Sequence, residues 1–281
     1  MPEGTISKIF AVEVPKSLFH YTSSGGLMGV LSSKKIWTTK IQYMNDNSEL
    51  QLAFGYIREE IDLQRKGIEK NRTEEELNDM ISALDSIETT NVSVASFTEM
   101  GDQLSQWRGY CEIGNGYSLG FDGPKLKNQV IQQNGYSLAP CVYEEKMHKL
   151  IVKELVNNYP TKEMIKAAEY TPTSFIFSFS YSVLLLAPII KSEGFKEEKE
   201  WRLISPLLDY PNAKFRQGNH SLIPYWEFDL DLENTLDSII IGPTPEPTLS
   251  SMALQGLLMK NGLEFFEKID IAQSKIPFRK I

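Results

Sequence analysis

The sequence predicts an α+β protein, because strand patterns and helix patterns are interspersed without alternating regularly. Period-two stretches of β-branched and aromatic residues, such as 17–22 and 91–98, indicate strands. Apolar residues three and four positions apart indicate helices between them. A doubly wound parallel sheet would need strict strand–helix alternation. We therefore expect mixed or antiparallel sheets with flanking helices, and we expect the 281 residues to form a single domain.

The first third of the chain predicts a strand, a short helix, a second strand and a helical pair. The strands are residues 17–22 and 35–39, and the short helix is 26–31. The helical pair covers 49–70 and 73–87, and its second helix begins with the capping-box pattern Thr73 to Glu76. We expect this pair to be a helical insertion at about 48–88, with many acidic residues on a solvated face.

The remaining two thirds predict further strands and helices. The strands are 91–98, 116–122, 137–143, 200–205, 214–217, 222–228, 238–241 and 268–271, and the helices are 102–111, 144–158, 162–190 and 250–261. Residues 170–190 carry no charge and are long enough to span a bilayer, but four serines and Pro172 and Pro188 oppose spanning. We expect a buried helix there, although the alternation from Phe175 to Tyr181 also fits a strand.

Composition excludes several classes of function. The 29 basic and 37 acidic residues give a net charge of −8, which opposes a broad nucleic-acid surface. The two cysteines lack CxxC spacing, so we expect neither a disulfide framework nor a zinc cluster. No P-loop and no GxSxG elbow is present. The first residues do not resemble an export signal, and we expect a cytoplasmic protein without membrane contact.

A metal site has one weak candidate, in which Glu144 and Glu145 precede His148 on one helix face. No second such pair is present in the sequence, and a surface ion pair explains the spacing equally well. We therefore predict no metal.

Two short segments stand out as sites. His20 and Thr22 share one face of the first strand, although a core histidine bonded to a neighbouring carbonyl is an equally good interpretation. Glu200 and Arg202 share one face of a later strand, where the arginine would keep the carboxylate ionised and oriented. The alternative for this pair is a structural ion pair at a sheet edge.

The order of several segments resembles a bacterial family of uncharacterised domains found among phage-defence and abortive-infection proteins. The segments span nearly the whole chain. They are His20-Tyr-Thr-Ser, Asn45-Asp46, Ser96-Phe97, Trp107 with Tyr110, Gly120-Phe-Asp122, Lys191 with Glu200-Trp-Arg202, Phe215-Arg216, Pro224-Tyr225, Ile241-Gly242 and Ser274-Lys-Ile-Pro-Phe-Arg279. This resemblance implies a bacterial intracellular protein and, by itself, no reaction.

A second resemblance, to the ADP-ribosyltransferase superfamily, implies a split sheet and a set of roles. His20, with Thr22 two residues later, would be the histidine of the early strand, Ser96 or Tyr110 the second motif, and Glu200 the late glutamate. Tyr21 stands where the poly-ADP-ribosylating branch has glycine. The resemblance implies that His20 bonds a ribose hydroxyl of NAD, that the backbone near Tyr21 holds the nicotinamide amide, and that Glu200 stabilises the oxocarbenium-like charge. Arg202 or Arg216 would bind the pyrophosphate.

Trp107 or Tyr110 would stack on a ring of the nucleotide, although an aromatic residue on an amphipathic helix is more often part of a core. We therefore expect an enzyme that cleaves NAD as its substrate and transfers ADP-ribose to a macromolecule or to water, in a bacterial defence or toxin system. The rival hypothesis is a sensor or interaction module that binds a nucleotide or a defence-system protein and catalyses nothing. A nuclease is disfavoured because no carboxylate metal cluster is evident.

Overall fold

The computed structural model describes residues 4–44, 47–67, 72–87, 90–111, 114–133, 135–161, 172–218, 221–262 and 268–277. Ten α-helices and ten strands lie within these ranges. The helices are α1 Thr5–Phe10, α2 Ser24–Ser33, α3 Asn47–Arg65, α4 Glu74–Asp85, α5 Leu104–Tyr110, α6 Gly123–Gln132, α7 Glu145–Asn158, α8 Pro172–Leu186, α9 Leu232–Thr235 and α10 Pro247–Lys260. The strands are β1 Ser17–Ser23, β2 Lys35–Lys40, β3 Ser93–Thr98, β4 Gly116–Asp122, β5 Ser137–Pro140, β6 Glu200–Ile204, β7 Lys214–Gln217, β8 Leu222–Asp229, β9 Leu236–Ile241 and β10 Asp270–Gln273.

The expected α+β class is confirmed, and every predicted strand is present within a few residues of its expected bounds. Three helices were not predicted, α1, α6 and α9. The second of these had a recognisable signal, because the Asp122 side chain accepts a hydrogen bond from the Lys125 backbone N–H at 2.9 Å and Pro124 lies in the first turn.

The uncharged segment 170–190 is helical in its described part. Helix α8 continues into a 3-10 turn at Ala187–Ile189, and residues 162–171 of the predicted helix lie outside the described part of the chain. The buried rings of Phe175 and Phe179, four residues apart, lie on its core-facing side. Among the described helices, none is both long enough and apolar enough to cross a membrane.

The ten strands form one mixed sheet in which β3 is the shared central strand. Along one edge, β3 pairs with β6 over its length from Val94 to Thr98. Along its other edge it pairs with β2 only at Ser93 and Val94, and with β1 only at Thr98. The sheet therefore splits above the middle of β3, where β1 and β2 diverge. Beyond β1 lie β4, β9 and β10, and beyond β2 lie β8 and β7.

Two apolar cores contact the sheet. One contains side chains of α3, α4, α7 and α8, together with Val94 and Ile204 of the sheet. The other contains side chains of α2, α6 and α10, together with Phe97, Phe121 and Trp201. The predicted helical insertion thus supplies much of the first core through α3 and α4, whose capping box at Thr73 and Glu76 is present as predicted. Residues 68–71 and 88–89 of that region lie outside the described ranges.

Candidate functional site

A cavity of about 610 Å³ lies at the split in the sheet. Its floor is β3, since all residues from Val94 to Thr98 line it. Its walls come from β1, β2, α5, β6 and the segment before β6. This volume lies within the usual range for small-molecule sites, which is about 300–1,000 Å³.

The backbone of β1 presents hydrogen-bonding groups to this split. Gly123 donates its N–H to the Lys16 carbonyl at 2.9 Å, which turns the main chain of Lys16 and of alternate residues after it toward β4. The N–H and C=O of Phe19 and Tyr21 therefore face β3. Of the described β1 residues, only Phe19 pairs with β3. The main chain of Tyr21 therefore faces the cavity.

The middle of β3 faces the same space. Ile41 donates its N–H to the Val92 carbonyl at 3.0 Å, so the main chains of Val92, Val94, Ser96 and Thr98 point toward the β1 and β2 edge. Because both neighbouring strands diverge there, no strand among the described residues pairs with Ser96 on this edge. The Ser96 Oγ atom is buried and also has no hydrogen-bond partner in the described part of the chain.

His20 occupies the gap that the split leaves. Its Nδ1 lies 2.9 Å from the Ser96 carbonyl oxygen, and its ring lies 5.7 Å from the ring of Phe97. A carbonyl only accepts hydrogen bonds, so Nδ1 carries the proton of the neutral ring and Nε2 is left as an acceptor. Burial lowers the pKa of His20, despite the bond to Ser96, and keeps the imidazole neutral. The expected carbonyl-bonded histidine is thus observed, and the same residue lines the cavity.

Glu200 and Arg202 share one face of β6, as predicted, but the strand is not a sheet edge. It lies between β3 and β5, and both side chains are buried. Arg202 binds Glu200 through Nε to Oε1 at 2.8 Å and through Nη2 to Oε2 at 3.0 Å. Arg202 also donates Nη1 to the Pro188 carbonyl at 2.6 Å. The arginine is therefore committed to the carboxylate and to the backbone.

Lys191 completes the charge cluster around Glu200. Its Nζ lies 2.6 Å from Glu200 Oε2 and 2.6 Å from Glu198 Oε2, and it is buried. Burial raises the pKa of Glu200, but the charges of Arg202 and Lys191 and their hydrogen bonds outweigh burial and lower it to about 2. The carboxylate is ionised at any physiological pH.

The entry into β6 carries an unusual backbone conformation. Lys199 has a φ of 43°, in the left-handed region that side chains rarely adopt. It follows a 3-10 turn at Glu193–Glu198, whose Glu198 carbonyl accepts a hydrogen bond from Thr98 Oγ1 at 2.6 Å. This turn and the strained residue after it set the direction in which Glu200 enters the sheet.

Tyr21, Thr22 and Tyr110 line the cavity, whereas Trp107 does not. Tyr21 donates its hydroxyl to the Met100 carbonyl at 2.7 Å and accepts the Gln103 N–H at 2.9 Å, so its side chain is fixed. Burial first, and then the negative charge of Glu200, raises the pKa of Tyr110, which keeps that phenol neutral.

The position of Trp107 supports the alternative interpretation, a core residue, and not stacking on a nucleotide. Its ring is 5% exposed and packs edge-on against Tyr21 with centroids 4.6 Å apart. Its Nε1–H donates to Asp102 Oδ1 at 2.8 Å. The structure places this residue in the packing behind the cavity wall, because α5 turns Trp107 inward and Tyr110 toward the cavity.

Two of the predicted residues, Thr22 and Arg216, lie on opposite sides of the cavity. A Cβ at Gly26 would overlap the Thr22 Oγ1 atom, so the first turn of α2 approaches Thr22 closely only because residue 26 is glycine. Arg216 of β7 lines the cavity from the opposite side, through Nη2 to Thr39 Oγ1 at 3.3 Å. Its buried Nε has no hydrogen-bond partner within the described ranges.

Several cavity residues were missed from the sequence. Lys191 was noted only as part of a resemblance, because a lysine is rarely buried unless it is paired and the sequence does not show its partners. Trp37, Tyr43 and Phe195 also line the cavity, and each is an exposed aromatic side chain. Nothing in the sequence distinguished these three from ordinary surface residues.

The metal half-site at His148 has a structural explanation. His148 Nε2 lies 2.6 Å from the Val142 carbonyl oxygen, and burial lowers the pKa of the ring. Among the described residues, no group of three or more metal-ligating side chains comes together.

Comparison with protein families gives one match to part of the chain. A model described as "Protein of unknown function (DUF2971)" matches residues 106–203, about a third of the 281 residues. The matched part runs from α5 to β6 and includes Tyr110, Lys191, Glu200 and Arg202. It agrees with the resemblance to a family of uncharacterised domains. The search of curated proteins and the search of solved structures give no match.

Proposed function

We propose that the cavity binds NAD and cleaves the bond between nicotinamide and ribose, transferring ADP-ribose to an acceptor or to water. The observation that carries this proposal is the split above β3. It exposes the main chain of Tyr21 and the neutral ring of His20 to the same cavity as the ionised carboxylate of Glu200.

Recognition of the nicotinamide would use the exposed backbone edge of β1. A carboxamide presents one acceptor and two donors, which complements the C=O and N–H of Tyr21 in the way that a neighbouring strand would. The Nε2 atom of His20 accepts a hydrogen bond from a ribose hydroxyl. His20 and Glu200 both line the cavity, and the ribose would lie between them.

Cleavage breaks the C1′–N bond, and its electron pair goes to the nicotinamide nitrogen, which removes the positive charge of the pyridinium ring. Positive charge then develops on the ribose, where the carboxylate of Glu200 stabilises it. With a pKa of about 2, Glu200 contributes charge and orientation and is too weak a base to take up a proton at neutral pH. The acceptor then bonds to C1′ and releases its proton to solvent.

Glu200→Gln tests the proposal directly. Nicotinamide release from NAD, followed by chromatography, should fall at least about a hundredfold because a neutral amide stabilises the developing charge far less. The matched control is Glu227→Gln, since Glu227 is also held by two cations, Lys214 at 2.7 Å and Lys35 at 3.4 Å, but does not line the cavity. Release that is unchanged in Glu200→Gln removes this residue from the mechanism.

A second variant guards against misfolding of Glu200→Gln, which leaves two buried cations with less compensation. His20→Asn keeps an N–H that can donate to Ser96 O and removes the acceptor at Nε2. We expect reduced kcat/KM with an unchanged far-UV circular dichroism spectrum.

A second candidate function, nucleotide binding without catalysis, is favoured by one observation. Two cations, Lys191 and Arg202, already pair with the Glu200 carboxylate. A binding module would show heat of NAD binding by calorimetry with no nicotinamide released by the wild-type chain, whereas the enzyme releases it. We propose that the protein acts in the bacterial cytoplasm, as part of a defence or toxin system.

A further inference from the structure

One face of the sheet beside the cavity carries an aromatic pair that the proposed chemistry leaves unused. Trp37 of β2 is 42% exposed and lines the cavity. Its ring lies 4.4 Å from that of Tyr225 on β8, with 31° between the planes. Tyr225 is buried, so one side of the tryptophan packs on a fixed ring while part of the indole stays exposed.

Strand register places an arginine on the same face. Thr39 lies opposite Tyr225, and Ile223 lies opposite Arg216. Cross-strand partners share a face, as do residues two apart, so Trp37, Thr39 and Arg216 project from one surface. The hydrogen bond from Arg216 Nη2 to Thr39 Oγ1 agrees with this placement.

Arg216 differs from the lysines of this surface in its pairing with carboxylates. Lys35 and Lys214 both pair with Glu227, at 3.4 and 2.7 Å. In the described part of the chain no carboxylate pairs with Arg216, and its buried Nε lacks an acceptor. A guanidinium in this state is suited to bind a phosphate.

The position of this surface relative to Glu200 matters for what binds there. β2 meets β3 at Val94, whereas Glu200 lies opposite Thr98, four residues further along β3. Four strand residues correspond to about 13 Å. Thr39, with the Arg216 guanidinium bound to it, is therefore offset from Glu200 along β3, whereas Trp37, two residues before Thr39, lies nearer to Glu200.

We infer that Trp37 and Arg216 form a nucleoside diphosphate subsite, which holds the adenosine diphosphate half of the dinucleotide. The inference rests on the proposed function for the identity of the other half. The indole of Trp37 stacks on the adenine, and the guanidinium of Arg216, which lines the cavity, binds the adjacent phosphates. The nicotinamide half then lies toward Tyr21 and Glu200.

Calorimetric titration with ADP tests the subsite without any turnover, because ADP lacks the scissile bond. Wild-type protein should bind ADP, and Trp37→Ala and Arg216→Gln should each weaken binding by about tenfold. Trp37→Phe, which retains a stacking ring, should stay within about threefold of wild type. The matched controls are Phe177→Ala, an exposed aromatic outside the cavity, and Arg58→Gln, a surface arginine paired with Asp85. Both should bind ADP as wild type does.

The subsite is overturned if ADP does not bind, or if it binds all of these variants equally. It is also overturned if a single-stranded oligonucleotide without a terminal phosphate binds more tightly than ADP with the same dependence on Trp37. The surface would then serve a nucleic acid. Steady-state kinetics separate the two proposals. A Trp37→Ala variant that cleaves NAD with unchanged KM refutes the subsite alone, whereas Trp37-dependent ADP binding in a wild-type chain that releases no nicotinamide refutes the cleavage alone.

Discussion

At the scale of single residues, Glu200 shows how much a buried carboxylate depends on its partners. Arg202 and Lys191 surround it within 3.0 Å, and all three side chains are buried. Such a cluster adds little net stability over an apolar one, because each charge has lost its hydration. Removing one member is costly, since the remaining charges stay buried without compensation. The cluster is therefore better explained by orientation of the carboxylate than by stability of the fold.

The low pKa of Glu200 predicts how stability depends on pH. The folded-state pKa of about 2 lies below the ordinary value of 4.5, so the ionised carboxylate stabilises the fold fully above about pH 4.5. This contribution is lost as the pH falls toward 2, and it amounts to on the order of 3 kcal/mol. In urea unfolding, the gap between wild type and Glu200→Gln should narrow from about pH 5 to about pH 3.

The matched control for this measurement is Glu145→Gln. Glu145 pairs with Lys149 at 2.7 Å on the exposed face of α7, where solvent screens the interaction. The difference in unfolding free energy between Glu145→Gln and wild type should change much less with pH. A gap for Glu200→Gln that stays constant over the same range would show that the carboxylate is not held ionised by the fold.

At the scale of elements, Asp102 connects α5 to the C-terminal segment of the described chain. Its Oδ1 accepts hydrogen bonds from Trp107 Nε1 at 2.8 Å and from Ser274 Oγ at 2.6 Å, and its Oδ2 accepts the Lys275 N–H at 2.8 Å. The wall of the cavity that carries Tyr110 is thus fixed from behind by a segment far away in sequence.

Asp102→Ala should destabilise the protein by about 2 kcal/mol, because it leaves the buried indole N–H of Trp107 without an acceptor. Urea unfolding measures this loss, and nicotinamide release should fall as α5 loses its support. Asp102→Asn retains an acceptor oxygen and should recover part of both. The control, Asp122→Ala, removes the cap of α6 and should cost about 1 kcal/mol without affecting release. Equal stability of Asp102→Ala and wild type would contradict the role of Asp102 in holding α5 to the C-terminal segment.

The elements show which parts of the fold were predictable from sequence. Period-two alternation identified β1, β3 and β6, and it correctly placed Glu200 and Arg202 on one face. It could not reveal that β6 is interior or that the sheet splits, because both depend on pairing between strands far apart in sequence. Trp107 and Tyr110 lie three residues apart on one short helix. Which of them faces the cavity depends on the docking of α5, which no local pattern contains.

At the scale of the whole molecule, the net charge of −8 hides a local difference. The acidic helices α3 and α4 contribute much of it, while the cavity contains three cationic side chains, Lys191, Arg202 and Arg216. Carboxylates balance the first two, whereas no carboxylate of the described residues pairs with Arg216, so Arg216 adds a net attraction for an anion to the cavity. An acidic protein is therefore compatible with an anionic substrate.

The two cores share one sheet, which predicts cooperative unfolding. Phe179→Ala creates a cavity in the first core and should cost about 3–5 kcal/mol. Tryptophan fluorescence reports in part on the second core, through the buried Trp201, and far-UV circular dichroism reports on the whole chain. Both transitions should shift together in urea. Separate midpoints would show that the two cores unfold independently.

The order of the strands in sequence also determines when a growing chain can acquire its site. The two rims of the split, β1 and β2, are joined by the single helix α2, so they lie within a contiguous stretch of about two dozen residues and need only a short loop closure. The floor, β3, comes some fifty residues later, and the strand that carries Glu200 follows after a further hundred. Contacts of such long range form slowly. A ribosome-bound chain that ends before β6 therefore lacks the carboxylate, and the chemistry proposed for this cavity is withheld until Glu200 has been added and has paired with β3.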